Sequence, residues 1–317
     1  MTYTEHYQLF FDTFPIALPI LAGLFGLLVG SFLNVVAYRF PLMLEQSWIQ
    51  DAKYIMQIIE AGHPLIRPRP LEFEQSLPQP EEPKITLSKP RSHCPKCKTQ
   101  IKAWQNIPLV SFLILKGKCA NPECDAKIPK RYFGVELVTG LMSFAVGWYF
   151  GYSLVTLAAL FLTWVLIALT LIDFDTQLLP DQIVLPLLWI GIILNYFDTF
   201  VSLESAVLGA IAGYMSLWIL FHLFKMLTGK EGMGFGDFKL YAALGAWLGI
   251  SALPAILMIA SVIGSIFGIS MILMRGHNSQ KPIAFGPYLA IGGWIFLLWS
   301  ESINTLLPVH QFAMVMN

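Results

Sequence analysis

The chain has 317 residues, 56% of them hydrophobic and 13% charged, with a mean hydropathy of +0.63 and a formal net charge of +0. An average soluble domain carries about 25% charged residues, so this composition excludes an ordinary soluble globular fold. The neutral total hides a segregation of sign. Fifteen of the 20 basic residues lie between Arg39 and Arg131, and the rest are Lys225, Lys230, Lys239, Arg275 and Lys281. Lys and Arg are retained on the cytoplasmic side during membrane insertion. Charge-free runs therefore read as membrane spans and basic segments as cytoplasmic loops.

In chain order, Met1–Pro15 holds two acids and no Lys or Arg, the reverse of a cleavable signal peptide, so the first apolar run is expected to stay as a helix. A span needs about 20 apolar residues, and Ile16–Tyr38 supplies one. Tyr132–Ile172, 41 residues with the single charge Glu136, supplies two, with a break near Gly147–Tyr152. Ile183–Phe197 and Ser205–Phe224 supply one each. Leu240–Met274, 35 uncharged residues, is expected to break at Gly249–Pro254 into two short spans, and Ile283–Leu307 is the last.

The expected fold is thus an all-α polytopic membrane protein with about eight transmembrane helices. It divides into a first transmembrane helix (1–40), a cytoplasmic loop domain (41–131) and a seven-helix transmembrane core (132–317). An even count puts both termini on one side, and the charge pattern puts that side outside the cytoplasm. The spacings Gly26/Gly30, Gly209/Gly213, Gly245/Gly249 and Gly264/Gly268 are those that let helix backbones approach closely in lipid.

The loop domain starts with eight prolines in residues 41–90. Pro78–Pro83 reads as extended linker, and a short amphipathic helix is expected around Leu44–Ile59. Its second half holds all four cysteines, Cys94 and Cys97 in one knuckle, Cys119 and Cys124 in another, with 21 residues between the knuckles. This spacing matches a zinc ribbon with four thiolates and no open coordination position, hence a structural metal. Two disulfides are the competing reading, disfavoured in a reducing cytosol. His93 beside Cys94 reads as a loop residue.

Acids beside spans are costly and suggest function. Glu136, Asp173, Asp175 and Asp237 are such acids. Asp173 ends the third span in Leu171–Asp181, and Asp237 precedes the sixth in Gly232–Lys239, so both are expected at the cytoplasmic face. Two carboxylates sharing a water suit aspartic proteolysis: the ionised one takes a proton from water and the protonated one polarises the scissile carbonyl. At about 4 Å and an effective dielectric near 20, their repulsion of about 4 kcal/mol keeps one proton on the pair. Gly234 and Gly236 would let a peptide backbone approach. The alternative is that these acids cap helices or pair with Lys230 and Lys239. Two residues along a helix is about 200°, so only one of Asp173 and Asp175 can face Asp237.

Beyond these physical readings, the chain resembles the type IV prepilin peptidases over nearly its whole length. The resemblance rests on Gly30–Pro41, the paired cysteine knuckles, Asn106-Ile-Pro108, Arg131–Gly140, Asp173 with Leu178-Leu-Pro-Asp181, and Gly234-Phe-Gly-Asp237. It implies a bifunctional membrane enzyme of a bacterial inner membrane. Such an enzyme cuts the leader of type IV prepilins and type II secretion pseudopilins, then N-methylates the new amino terminus from S-adenosylmethionine. It implies Asp173 and Asp237 as the catalytic pair, the former because it stands seven positions before Pro180. It implies Cys94, Cys97, Cys119 and Cys124 as zinc ligands, although the second knuckle is two residues longer than the family's usual CxxC. Asn34, Arg39 and Glu136, polar residues near the cytoplasmic ends of the first two spans, are candidates for the methyl donor, and each is equally readable as a packing residue. The expected partners are pilin proteins and the lipid bilayer, with no nucleic acid. A proton-coupled transporter and a zinc-ribbon scaffold of a secretion system are the other classes. A transporter is expected to place its acids near the bilayer midplane on broken helices, not at one edge.

Overall fold

The computed structural model describes residues 3–60, 85–94, 96–101, 114–115, 117–124, 126–127, 129–230, 232–275 and 284–306. The Pro78–Pro83 linker and the Asn106-Ile-Pro108 motif lie outside these residues. Among the described residues the fold is all-α: α1 (Tyr3–Thr13), α2 (Ala17–Glu60), α3 (Lys130–Phe150), α4 (Leu154–Thr176), α5 (Asp181–Tyr196), α6 (Leu203–Thr228), α7 (Phe235–Leu248), α8 (Ala252–Arg275) and α9 (Gly286–Leu306). Five of them, α2, α3, α4, α6 and α8, are long and apolar enough to cross a membrane, and α5 and α9 hold shorter apolar stretches. All eight apolar segments expected from the sequence are helical. α1 was not anticipated. Its Phe11 stacks on Tyr152 at a centroid distance of 4.9 Å.

The chain divides into two compact units, residues 1–30 with 136–317, and residues 31–135. In the second unit, the helix expected at Leu44–Ile59 is not a separate element. α2 runs unbroken to Glu60 through Pro41.

The larger unit is organised around α7. Phe238 and every residue from Leu240 to Leu248 are buried, and α5, α6, α8 and α9 pack around them. A helix apolar on all sides belongs inside a bundle, and at about 1.5 Å per residue α7 is some 21 Å long, short of a full bilayer core. Small residues make this enclosure possible. A Cβ on Gly209 would strike the Gly245 carbonyl, and one on Gly213 would lie 2.8 Å from the Tyr241 carbonyl, so α6 and α7 touch backbone to backbone. α2 and α3 meet the same way: a Cβ on Gly30 would lie 2.8 Å from the Glu136 Cα.

The far end of α7 is tied by polar groups that would otherwise be orphaned at a helix terminus. Fully buried Asn195 donates from Nδ2 to the carbonyls of Ala246 (2.8 Å) and Trp247 (3.0 Å), while its Oδ1 accepts from the amides of Phe200 (2.9 Å) and Val201 (3.1 Å). Trp247 Nε1 donates to the Leu187 carbonyl at 2.8 Å, and Gly191 leaves the space its indole occupies. With this end fixed to α5, the start of α7 is held in register with the start of α5.

Candidate active site and metal centre

Three helix ends converge around the acids. α4 stops at Gln177, which adopts a left-handed conformation (φ 55°) while its amide closes on the Asp173 carbonyl at 2.9 Å. The chain then turns through Leu178–Pro180 and re-enters as α5 at Asp181. α7 starts after Gly234 and carries Asp237 in its first turn, where Oδ2 accepts from the Gly234 amide at 3.2 Å. α9 starts at Gly286, whose α-carbon lies against the Asp173 carboxylate.

Asp173 and Asp237 are 4% and 5% exposed, and the Asp173 charge lies close enough to act directly on Asp237. Leu179, from the α4–α5 turn, lies between their supports. A Cβ on Gly236 would come 2.7 Å from the Leu179 Cβ, and one on Gly286 3.0 Å from its Cδ1. Asp173 Oδ2 has no hydrogen-bond partner among the described residues. Burying such a group is costly unless something else approaches it.

Asp175 is exposed while Asp173 is buried, as opposite helix faces require. Lys239, a sequence candidate for pairing with the acids, instead bonds Asp181 with Nζ–Oδ distances of 2.7 and 2.8 Å, tying the first turn of α5 to α7. The capping reading holds for Asp237 through Gly234, and capping engages only Oδ2 of its carboxylate. The sequence reading missed Gly286 and Leu179. A Leu flanked by Leu and Pro carries no mark of its contacts, and a Gly-Pro pair opening a helix looks like ordinary punctuation.

In the smaller unit, the four cysteine sulfurs lie within 4.8 Å of one another and all are free thiols. Cys94 Sγ is 4.0 Å from Cys124 Sγ, and Cys97 Sγ is 3.8 Å from Cys119 Sγ. Four thiolates about 2.3 Å from a common ion in tetrahedral geometry stand about 3.8 Å apart, so the arrangement fits a metal ion. Each knuckle is a small hairpin. The Cys94 amide bonds the Thr99 carbonyl and the Cys119 amide the Ala126 carbonyl, both at 2.9 Å. The longer second knuckle is closed by Asn121, whose carbonyl accepts from the Cys124 amide at 3.0 Å and whose Oδ1 accepts from the Glu123 amide at 3.1 Å. Hydrogen bonding with the Thr99 side chain and backbone holds the Cys97 thiol down at about 6. His93 bonds its own loop, at the Arg91 carbonyl, and is no part of the sulfur cluster.

The remaining candidates fall as follows. Arg39 commits both terminal nitrogens to carbonyls, Nη1 to Thr86 (3.0 Å) and Leu87 (3.3 Å), Nη2 to Pro90 (2.7 Å), and so clasps the Thr86–Pro90 turn to α2. Gln46 Oε1 adds a second tie at the Ile85 amide, 2.9 Å away. Hydrogen bonds to a charged group are worth about 1.5–3 kcal/mol each. Arg39→Ala is therefore expected to free this turn, read as faster amide hydrogen exchange at Thr86 and Lys89; unchanged protection would contradict the clasp. Asn34 is half-buried and donates to the Tyr132 carbonyl at 3.3 Å. Glu136 is fully buried and belongs to the larger unit.

A bundle with five membrane-length helices and two buried carboxylates, with a four-cysteine module in the same chain, defines an integral membrane protein with a paired-acid site. Residues 24–150 match the bacterial peptidase A24 N-terminal domain, and residues 160–269 match the type IV leader peptidase family. The chain is 53% identical to a prepilin leader peptidase/N-methyltransferase of Aeromonas salmonicida, over 90% of this chain and 91% of that protein. It is 49% identical to the protein of that name in Pseudomonas aeruginosa, over 92% and 93% respectively. A third relative so named, from Neisseria gonorrhoeae, is 50% identical over 91% and 93%. No solved structure matches the chain. The chain belongs to the type IV leader peptidase family, a family of enzymes.

Proposed function

We propose that this protein removes the leader of type IV prepilins and type II secretion pseudopilins at the cytoplasmic face of a bacterial inner membrane, then N-methylates the amine it has released. The observation that carries the peptidase half is the burial of Asp173 and Asp237 beside each other at converging helix ends. Two carboxylates this close, out of water, share one proton. The ionised member takes a proton from a water as the oxygen attacks the scissile carbonyl. The protonated member hydrogen-bonds the carbonyl oxygen and then gives its proton to the departing amine. The products are the free leader carboxylate and a new amino terminus.

Eight spans with both termini outside the cytoplasm put this pair at the depth where a prepilin's basic leader meets its membrane helix. Zinc is the metal that four thiolates in a tetrahedron suit best, in a structural role. S-adenosylmethionine supplies the methyl group. Asn34 and Arg39 in the smaller unit, and Glu136 in the larger, are each a candidate residue for it, Arg39 through its hold on the 86–90 turn.

The dyad belongs to the larger unit and the cysteines and Arg39 to the smaller, so the two activities are expected to separate. Cys94→Ser and Arg39→Ala should give pilin that is cut but under-methylated. Asp237→Ala should give pilin neither cut nor methylated, because methylation needs the amine that hydrolysis frees. Mass spectrometry of the pilin amino terminus reads both events. Normal methylation by a correctly inserted variant lacking residues 42–131 would contradict the division.

A further inference from the structure

Asp173 is held by an element that the paired-acid reading does not use. The α4 helix ends three residues after it, and its carboxylate projects to the first residue of α9, more than a hundred positions later in the chain. There Gly286 presents bare backbone. An ideal Cβ at this position would lie 2.5 Å from Asp173 Oδ2, 3.0 Å from Leu179 Cδ1 and 3.3 Å from Asp173 Cγ. Separations under 3.0 Å are not sustained by real carbon atoms, so any side chain at 286 forces the carboxylate, Leu179 or α9 to move. Asp173 has little freedom to yield, being short and 4% exposed. Leu179 is no freer, because its Cβ is already packed over Gly236, next to Asp237.

We propose that Gly286 is a positioning residue for the peptidase reaction, its bare α-carbon fixing the Asp173 carboxylate in the place from which it faces Asp237. The inference rests on the dyad reading above. It adds that the start of α9 is a third wall of the active site and that residue 286 cannot carry a side chain. The missing side chain at Gly286 sets the distance at which the carboxylate can sit. Leu179 transmits the same spacing to the Asp237 side. Misplacing a reacting group by about 1 Å costs on the order of 100-fold in rate, and the required shift is of that order.

The test is prepilin cleavage by the full-length protein in detergent or bilayers, with kcat and KM measured separately. Gly286→Ala should lower kcat by on the order of 100-fold with KM within about twofold, since the pilin still binds. Gly264→Ala is the packing control. Its Cβ would meet the Tyr288 ring of α9 at 3.1 Å, away from any carboxylate, and it should cleave at close to the wild-type rate. Should Gly286→Ala fail to fold, Leu179→Ala/Gly286→Ala gives the new methyl room beside residue 179. It leaves the clash with Asp173, and should keep the kcat loss relative to Leu179→Ala alone. Wild-type kcat in Gly286→Ala, recovery in the double variant, or equal losses in Gly264→Ala and Gly286→Ala would each overturn the assignment. Asp173→Asn separates the two ideas: if it cleaves normally the dyad reading fails, whereas if it is inactive and Gly286→Ala is normal, only the role of Gly286 falls.

Discussion

Asp173→Asn and Asp237→Asn are each expected to abolish leader cleavage while leaving the protein inserted and folded. Loss of a positioned proton donor or acceptor costs about 10²–10⁴-fold, and in the proposed mechanism each carboxylate has a task the other cannot take over. An amide is nearly the same size, so packing around residues 4% and 5% exposed is preserved. Removing a buried charge removes its desolvation cost as well, so thermal stability should hold or rise in either variant. Asp175→Ala is the contrast, because its side chain is exposed on the other face of α4, and it should retain substantial cleavage. A dead Asp175→Ala beside an active Asp173→Ala would mean the wrong face of α4 has been assigned to Asp237.

Removing the zinc proposed for the four-cysteine module is expected to unfold its two hairpins. Structural zinc in small modules supplies about 10–16 kcal/mol of folding energy. Among the described residues little else could replace it: the hairpins are held by a handful of backbone hydrogen bonds, and the buried apolar atoms at their centre include the sulfurs of Cys94 and Cys124. Purified protein should carry one zinc per chain. Chelation should raise hydrogen exchange at the Cys94, Lys98 and Cys119 amides while α4–α9 stay protected, and Cys94→Ser or Cys124→Ser should mimic it. Protein that contains no metal yet keeps these amides protected would contradict a metal-built module.

The larger architecture could be read from the sequence because lipid imposes a one-dimensional code. Charge-free runs near span length mark helices wherever they occur, and breaks such as Gly249 separate two of them even without polar residues. Asp173 and Asp237 stood out because acids are rare in such runs. The rest needed three dimensions. α1 carries polar residues among its aromatics and gives no span-length signal, and α2 continues through Pro41 because a proline costs a helix one hydrogen bond without always ending it. Lys239 was visible as a charge near Asp237, but its choice of Asp181 depends on how α5 and α7 are docked through Asn195 and Trp247. Arg39 looked equally like a ligand-binding or a packing residue, and only its three carbonyl partners identify the clasp. Gly286 and Leu179 have no chemical signature at all, since what they contribute is distance.

The central claim is that the paired acids cut a prepilin and the same chain methylates the product. Its most direct test is the mass of a type IV prepilin after incubation with the purified, zinc-loaded protein, with and without S-adenosylmethionine. The account predicts leaderless pilin in both reactions, with one added methyl group at its amino terminus only when the donor is present. Intact prepilin in both reactions, from protein that is folded and metal-loaded, would contradict it.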